Sequence, residues 1–211
     1  MTTVYDSTPK PSGPKPAGSG PSGKSVAISP QLSRRQLGIG LLAFTVGGRE
    51  LLLTPGEAHA QGAAFKTLKA EEVTALQAIG EALVPDAAKS GMAEFIDHQL
   101  SIPPEEALLQ ARILNVRPPF ANFYRAAVGA VDKAAAARHG GKTFAALSAE
   151  DKRAFINDMR QNKIDGWQGP SGAFVYAVLR SDAVDVVYST VAGYEALGVP
   201  YMPHILPTKK W

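Results

Sequence analysis

Histidine is the side chain most often recruited for proton transfer or metal ligation near neutral pH, and beyond residue 61 this chain has three: His98, His139 and His204. They are far apart in the sequence. Asp97 and His98 are adjacent, and neighbours on a helix point in different directions, so the pair does not chelate one metal. The carboxylate pairs Glu71-Glu72, Glu105-Glu106 and Glu150-Asp151 fall at the starts of helical patterns. There the positive end of the helix dipole accounts for them without an acid–base role. Ser148 reads as a helix N-cap, because no Gly-x-Ser-x-Gly elbow surrounds it. Gly166-Trp167-Gln168-Gly169-Pro170-Ser171-Gly172 is glycine-rich but lacks the Lys-Ser/Thr of a phosphate loop, and reads as a turn anchored by Trp167. No catalytic, cofactor-binding or metal-binding constellation emerges.

The chain of 211 residues contains no cysteine. Disulfides, thiolate nucleophiles, cysteine-ligated metals and Cys-x-x-Cys-His haem attachment are thereby excluded. The formal charge of +3 is carried by residues 1–60, where Lys10, Lys15, Lys24, Arg34, Arg35 and Arg49 face Asp6, Glu50 and Glu57. The remainder is balanced, which gives no support to nucleic acid as a partner.

The elements that would position any site begin after a Ser/Pro/Gly/Lys-rich stretch over residues 7–24, which is too polar to bury a core and reads as disordered. Next come Ser33-Arg34-Arg35-Gln36-Leu37 and a glycine-diluted apolar run from Ile39 to Gly48. That run is about half the ~20 residues needed to span a bilayer as a helix. Ala58-His59-Ala60 before Gln61 has the A-x-A form of a cleavage site. In this order the three features read as a twin-arginine export signal, with Ser33, Arg34, Arg35 and Leu37 as the address and Ala58, Ala60 and Gln61 at the cut. Residues 1–60 are thus assigned to a disordered leader plus signal, and the periplasm is the expected compartment. The twin-arginine translocase carries folded proteins, which suits either a fast-folding domain or one that escorts a cofactor-loaded partner.

Helical periodicity dominates residues 61–187. Helices are expected over about 70–84, 92–100, 103–114, 119–138 and 148–162, the last opened by Ser148 and acidic residues. Residues 173–188 would suit a buried strand or a helix; helix is preferred because no sheet is expected elsewhere for a lone strand to join. The fold class is all-α. From Tyr188 onward Pro200, Pro203 and Pro207 forbid a continuous helix. Residues 188–211 therefore read as an extended C-terminal strap, carrying Tyr194, Tyr201, Met202, Ile205, Leu206 and Trp211. Such a strap lies either over its own domain or on another protein.

Phe65-Lys66-Thr67-Leu68, Ala93-Glu94-Phe95-Ile96-Asp97-His98-Gln99-Leu100, Phe144-Ala145-Ala146-Leu147-Ser148 and, above all, Gly193-Tyr194-Glu195-Ala196-Leu197-Gly198-Val199-Pro200-Tyr201-Met202-Pro203-His204-Ile205 resemble the gluconate 2-dehydrogenase subunit 3 family over about residues 65–211. These are the small or gamma subunits of membrane-associated sugar and alcohol dehydrogenases. The resemblance implies a large subunit that holds FAD and oxidises the substrate, and a multihaem cytochrome c subunit that passes electrons to the membrane. The small subunit then carries no cofactor of its own and acts as a folding and export escort, held at the inner membrane through the complex. With the strap's composition, it points to Tyr194, Tyr201, Met202, His204 and Trp211 as partner contacts. A stand-alone periplasmic small-ligand binding protein is the alternative, and it needs a cleft lined by Trp167 and Tyr176.

Overall fold

The computed structural model describes residues 41–199. It opens with a β-hairpin, β1 (Leu42–Val46) and β2 (Arg49–Leu53), paired antiparallel with Leu42 opposite Leu53 and Val46 opposite Arg49. The two-residue loop Gly47-Gly48 has φ of 55° and 78°, the left-handed pair that matches strand twist in a tight hairpin. Phe44 alone on β1 is buried.

Helix α1 (Pro55–Ala60) follows at once, for a local reason. Thr54 Oγ1 accepts the Glu57 N–H at 3.2 Å, the Glu57 carboxylate accepts the Thr54 N–H at 2.8 Å, and Pro55 fills the first helical position. One expectation changes here. The fold is mostly α with a small two-stranded sheet, where an all-α body was expected. Residues 42–60, which fall within the stretch read as leader and signal, form regular elements packed on the helical body, because Phe44, Ala58 and Ala63 make a satellite core against the helix at Met92–Leu100.

The helical body comprises α2 (Ala70–Leu83), α3 (Met92–Leu100), α4 (Gln110–Ile113), α5 (Phe120–Arg138), α6 (Ala149–Arg160), α7 (Gly172–Tyr188) and α8 (Val191–Ala196). A 3-10 turn at Phe144–Ala146 lies between α5 and α6. Leu76 and Ile79 of α2, Ile96 of α3, Val131 of α5, Met159 of α6 and Leu179 of α7 are fully buried in one core. Phe144 meets Phe155 edge-on at 5.3 Å, so the 3-10 turn locks α6. Ser148 caps α6 as its sequence suggests, accepting the Asp151 N–H at 3.1 Å.

Residues 172–188 are helical, with Val175, Val178, Leu179 and Val186 on the buried side. The helix expected over 103–114 shrinks to the single turn α4. The Gln99 side chain accepts the Leu108 N–H at 2.7 Å and Asp182 accepts the Gln110 N–H at 2.9 Å, so tertiary acceptors take donors that a helix would use internally. The strap expected to be extended from Tyr188 instead starts as α8. Thr190 caps that helix through the Gly193 N–H at 2.9 Å, and the turn at Gly198 (φ 67°) ends it. Among the described residues no helix is long and apolar enough to cross a membrane.

Candidate functional site

Among the described residues an open groove of about 830 Å³ lies between α1 and the corner of α7 and α8. One wall is α1, the floor is the Pro85–Ser90 turn, and the other wall is the end of α7 with α8. Val186, Val187, Tyr188, Val191 and Ala196 make that second wall predominantly apolar. Two of the groove's polar side chains already have structural duties: Glu57 closes the α1 capping box, and His59 Nδ1 pairs with the Glu94 carboxylate at 2.8 Å. Such a surface suits a packed polypeptide better than a polar substrate.

α8 is set against α7 by Gly193. A side chain there would collide with the Val187 carbonyl and the Tyr188 backbone, so glycine lets the two helices close up. Tyr194 is half-buried on α8, while Leu197 and Val199, leading into residues 200–211, are about half exposed.

Behind α1, helix α3 carries a buried polar row. Asp97, 4% exposed, accepts three successive backbone N–H groups, from Lys66 at 2.7 Å, Thr67 at 2.8 Å and Leu68 at 2.7 Å. It thereby fixes the chain entering α2. Glu94 is 5% exposed, with one oxygen on His59 and the other without a partner. His98 packs its ring 5.5 Å from that of Phe44, and its Nδ1 is buried without a partner. Burial lowers the His98 pKa, the Lys66 charge lowers it further, and Asp97 opposes both.

A second buried group ties α4, α5 and α7. Asp182 is fully buried, accepting from Tyr124 at 2.6 Å and from the Gln110 N–H at 2.9 Å. Burial pushes its pKa to about 7 against the partial relief of those bonds, and pushes the Tyr124 hydroxyl well above its ordinary value.

Of the residues singled out in the sequence, Ser33, Arg34, Arg35, Leu37, Tyr201, Met202, His204 and Trp211 lie outside the described residues. Ala58 is buried in α1, Ala60 ends that helix exposed, and Gln61 is its C-cap. His139 caps the end of α5, remote in sequence from the α3 row. Trp167 anchors its turn by donating to the Pro170 carbonyl at 2.7 Å. The cavity beside it is about 120 Å³, below the ~300 Å³ of ordinary small-molecule sites, and Tyr176 is not in its lining. The cleft required by the ligand-binding alternative is not built there.

Asp97, Glu94 and Asp182 escaped the sequence reading as buried anchors. Glu94 and His98 carry a signal in their four-residue spacing, one helical turn apart on the same face. The three Asp97 bonds have none, since they join residues about thirty apart in sequence.

The body is mostly helical with an apolar groove, and two of its buried acids, Asp97 and Asp182, are spent on holding backbone N–H groups. The family model for gluconate 2-dehydrogenase subunit 3 matches residues 70–204, and the chain belongs to that family. It is therefore a component of a larger dehydrogenase complex. No curated protein and no solved structure matches the chain.

Proposed function

We propose that the chain is the non-catalytic small subunit and export escort of a periplasmic FAD-dependent sugar or alcohol dehydrogenase complex. The carrying observation is the family match, which runs from α2 through the whole helical body and on to residue 204. It thus takes in Tyr194, Tyr201, Met202 and His204 of the C-terminal segment.

In this reading FAD belongs to the large subunit and haem c to a multihaem cytochrome subunit. The Arg34-Arg35 pair engages the twin-arginine translocase for the assembled body, and the complex rests peripherally on the inner membrane. The C-terminal segment, with Trp211 at its end, lies on the flavoprotein subunit. Two features favour this. Leu197 and Val199 expose apolar surface where the segment leaves the body, and α8, one wall of the groove, leads directly into it. Aromatic and methionine side chains at 194, 201, 202 and 211 are the types enriched in interface cores.

The test is a pull-down from membranes with an internal tag and both termini free. A yellow, stoichiometric partner of flavoprotein size is expected, lost from the periplasm when Arg34 and Arg35 are both changed to Lys. A colourless monomer, exported normally and without a partner, would overturn the reading.

A further inference from the structure

We propose that residues 42–61 are a permanent arm of the mature subunit, and that the folded chain shields the Ala60–Gln61 bond from signal peptidase. The inference rests on the export reading only in that folded-state transport would present an already folded arm to the peptidase.

A processing peptidase binds its substrate as an extended strand, with alternate side chains seated in its own pockets. Here both sides of the bond are wound up. The Gln61 N–H donates to the Glu57 carbonyl at 3.0 Å, and the Gly62 N–H to the His59 carbonyl at 3.1 Å. The Ala63 N–H donates to the Ala58 carbonyl at 2.9 Å, and the Ala64 N–H to the Thr45 carbonyl of β1 at 2.8 Å. Ala58, the side chain a peptidase would seat at the third position before the bond, is 0% exposed, packed with Phe44 and Ala63. Gly62 takes φ 63° and closes the helix as a left-handed C-terminal residue.

The body is shaped to receive this arm. Gly91 at the start of α3 has φ 80°, and any Cβ there would run into the Pro55 carbonyl and Gly56 nitrogen of α1. His59 meets the buried Glu94, and Phe44 covers His98. Removing residues 1–60 would leave Glu94 without the His59 ring it pairs with and would take away one wall of the groove. The uncut chain is thus the form that possesses the groove.

The experiment uses the purified full-length chain, its Gly91→Ala variant, and a synthetic peptide of residues 41–66. Each is incubated with bacterial signal peptidase in detergent micelles and read by intact mass and N-terminal sequencing. Hydrogen exchange is followed in parallel over residues 42–64. The wild-type chain is expected to remain uncut, with the amides of residues 61, 63 and 64 exchanging about 100-fold or more slower than in the peptide. Gly91→Ala, unable to seat Pro55, should lose that protection and be cut after Ala60 wherever the peptide is cut. Cleavage of the wild-type chain after Ala60 at the peptide's rate would overturn the proposal. So would exchange at free-peptide rates, which decides the matter even if the peptidase spares every substrate. Neither readout involves export, so a failure here leaves the escort reading standing, and a cytoplasmic chain would sink the escort reading alone.

Discussion

Replacing Asp182 by Asn should remove a pH dependence of stability that one buried carboxyl imposes on the whole domain. Asp182 is fully buried and its pKa stands at about 7 in the fold against 3.8 in the unfolded chain. Between those values the folded state holds a proton that the unfolded state has released. Stability is therefore highest below about pH 4 as far as this group is concerned, and falls as pH rises through about 7. A gap of about three pH units at ~1.4 kcal/mol each gives an upper bound of about 4 kcal/mol. That is about 8–16 °C in Tm for a domain of this size, at 2–4 °C per kcal/mol. The asparagine keeps an oxygen for the Gln110 N–H but has no proton to exchange.

Urea unfolding followed by circular dichroism, at half-unit steps from pH 4 to 8.5, isolates the effect when the variant's free energy is subtracted from the wild type's. Titrations elsewhere cancel in the difference if they are independent of this site. The difference should slope by up to ~1.4 kcal/mol per pH unit against the wild type and flatten above pH 7. A difference that stays constant across the range would show that Asp182 titrates as an ordinary carboxyl, and the account of its burial would fail.

Three further outcomes are expected. Asp97→Ala strands the buried Leu68 N–H together with two neighbouring donors, and should cost about 2–4 kcal/mol in chemical denaturation, with α2 the first element to lose hydrogen-exchange protection. His98, its pKa lowered chiefly by burial, should titrate by NMR below 6.5; the folded state resists its protonation, so stability present above pH 6.5 is lost on acidification and the Phe44 hairpin should loosen first. Gly193→Ala forces α8 away from Val187 and Tyr188, and should cut recovery of the large subunit in a pull-down at least tenfold while the core, centred on α2, α5 and α7, still melts cooperatively; undiminished recovery would remove α8 from the interface.

Most helices were legible because their stabilising signals are local. Periodic apolar side chains mark Ala70–Leu83, Met92–Leu100 and Phe120–Arg138, and Ser148 with Glu150 and Asp151 marks the start of α6. The family was legible for the same reason, since its most specific pattern, Gly193 to Ile205, is one contiguous stretch. The 103–114 segment is not legible in this way, because proline and acidic residues describe only the first turn of a helix. Whether it continues depended on Gln99 and Asp182, which the fold brings to its backbone.

The same contrast holds at the N-terminus. Thr54-Pro55-Gly56-Glu57 is a helix start that sequence alone could have given, and Gly47-Gly48 is a hairpin turn. Ala58-His59-Ala60 fits both a peptidase recognition pattern and a helix end, since small side chains satisfy either. Composition and short-range pattern determined most of the long helices and the kinship. Tertiary structure alone decided that Ala58 is buried, that His59 finds Glu94 across thirty-five residues, and that α1 and α8 face one another across a groove. Burial and long-range pairing are properties of the folded chain as a whole, and local pattern holds no record of them.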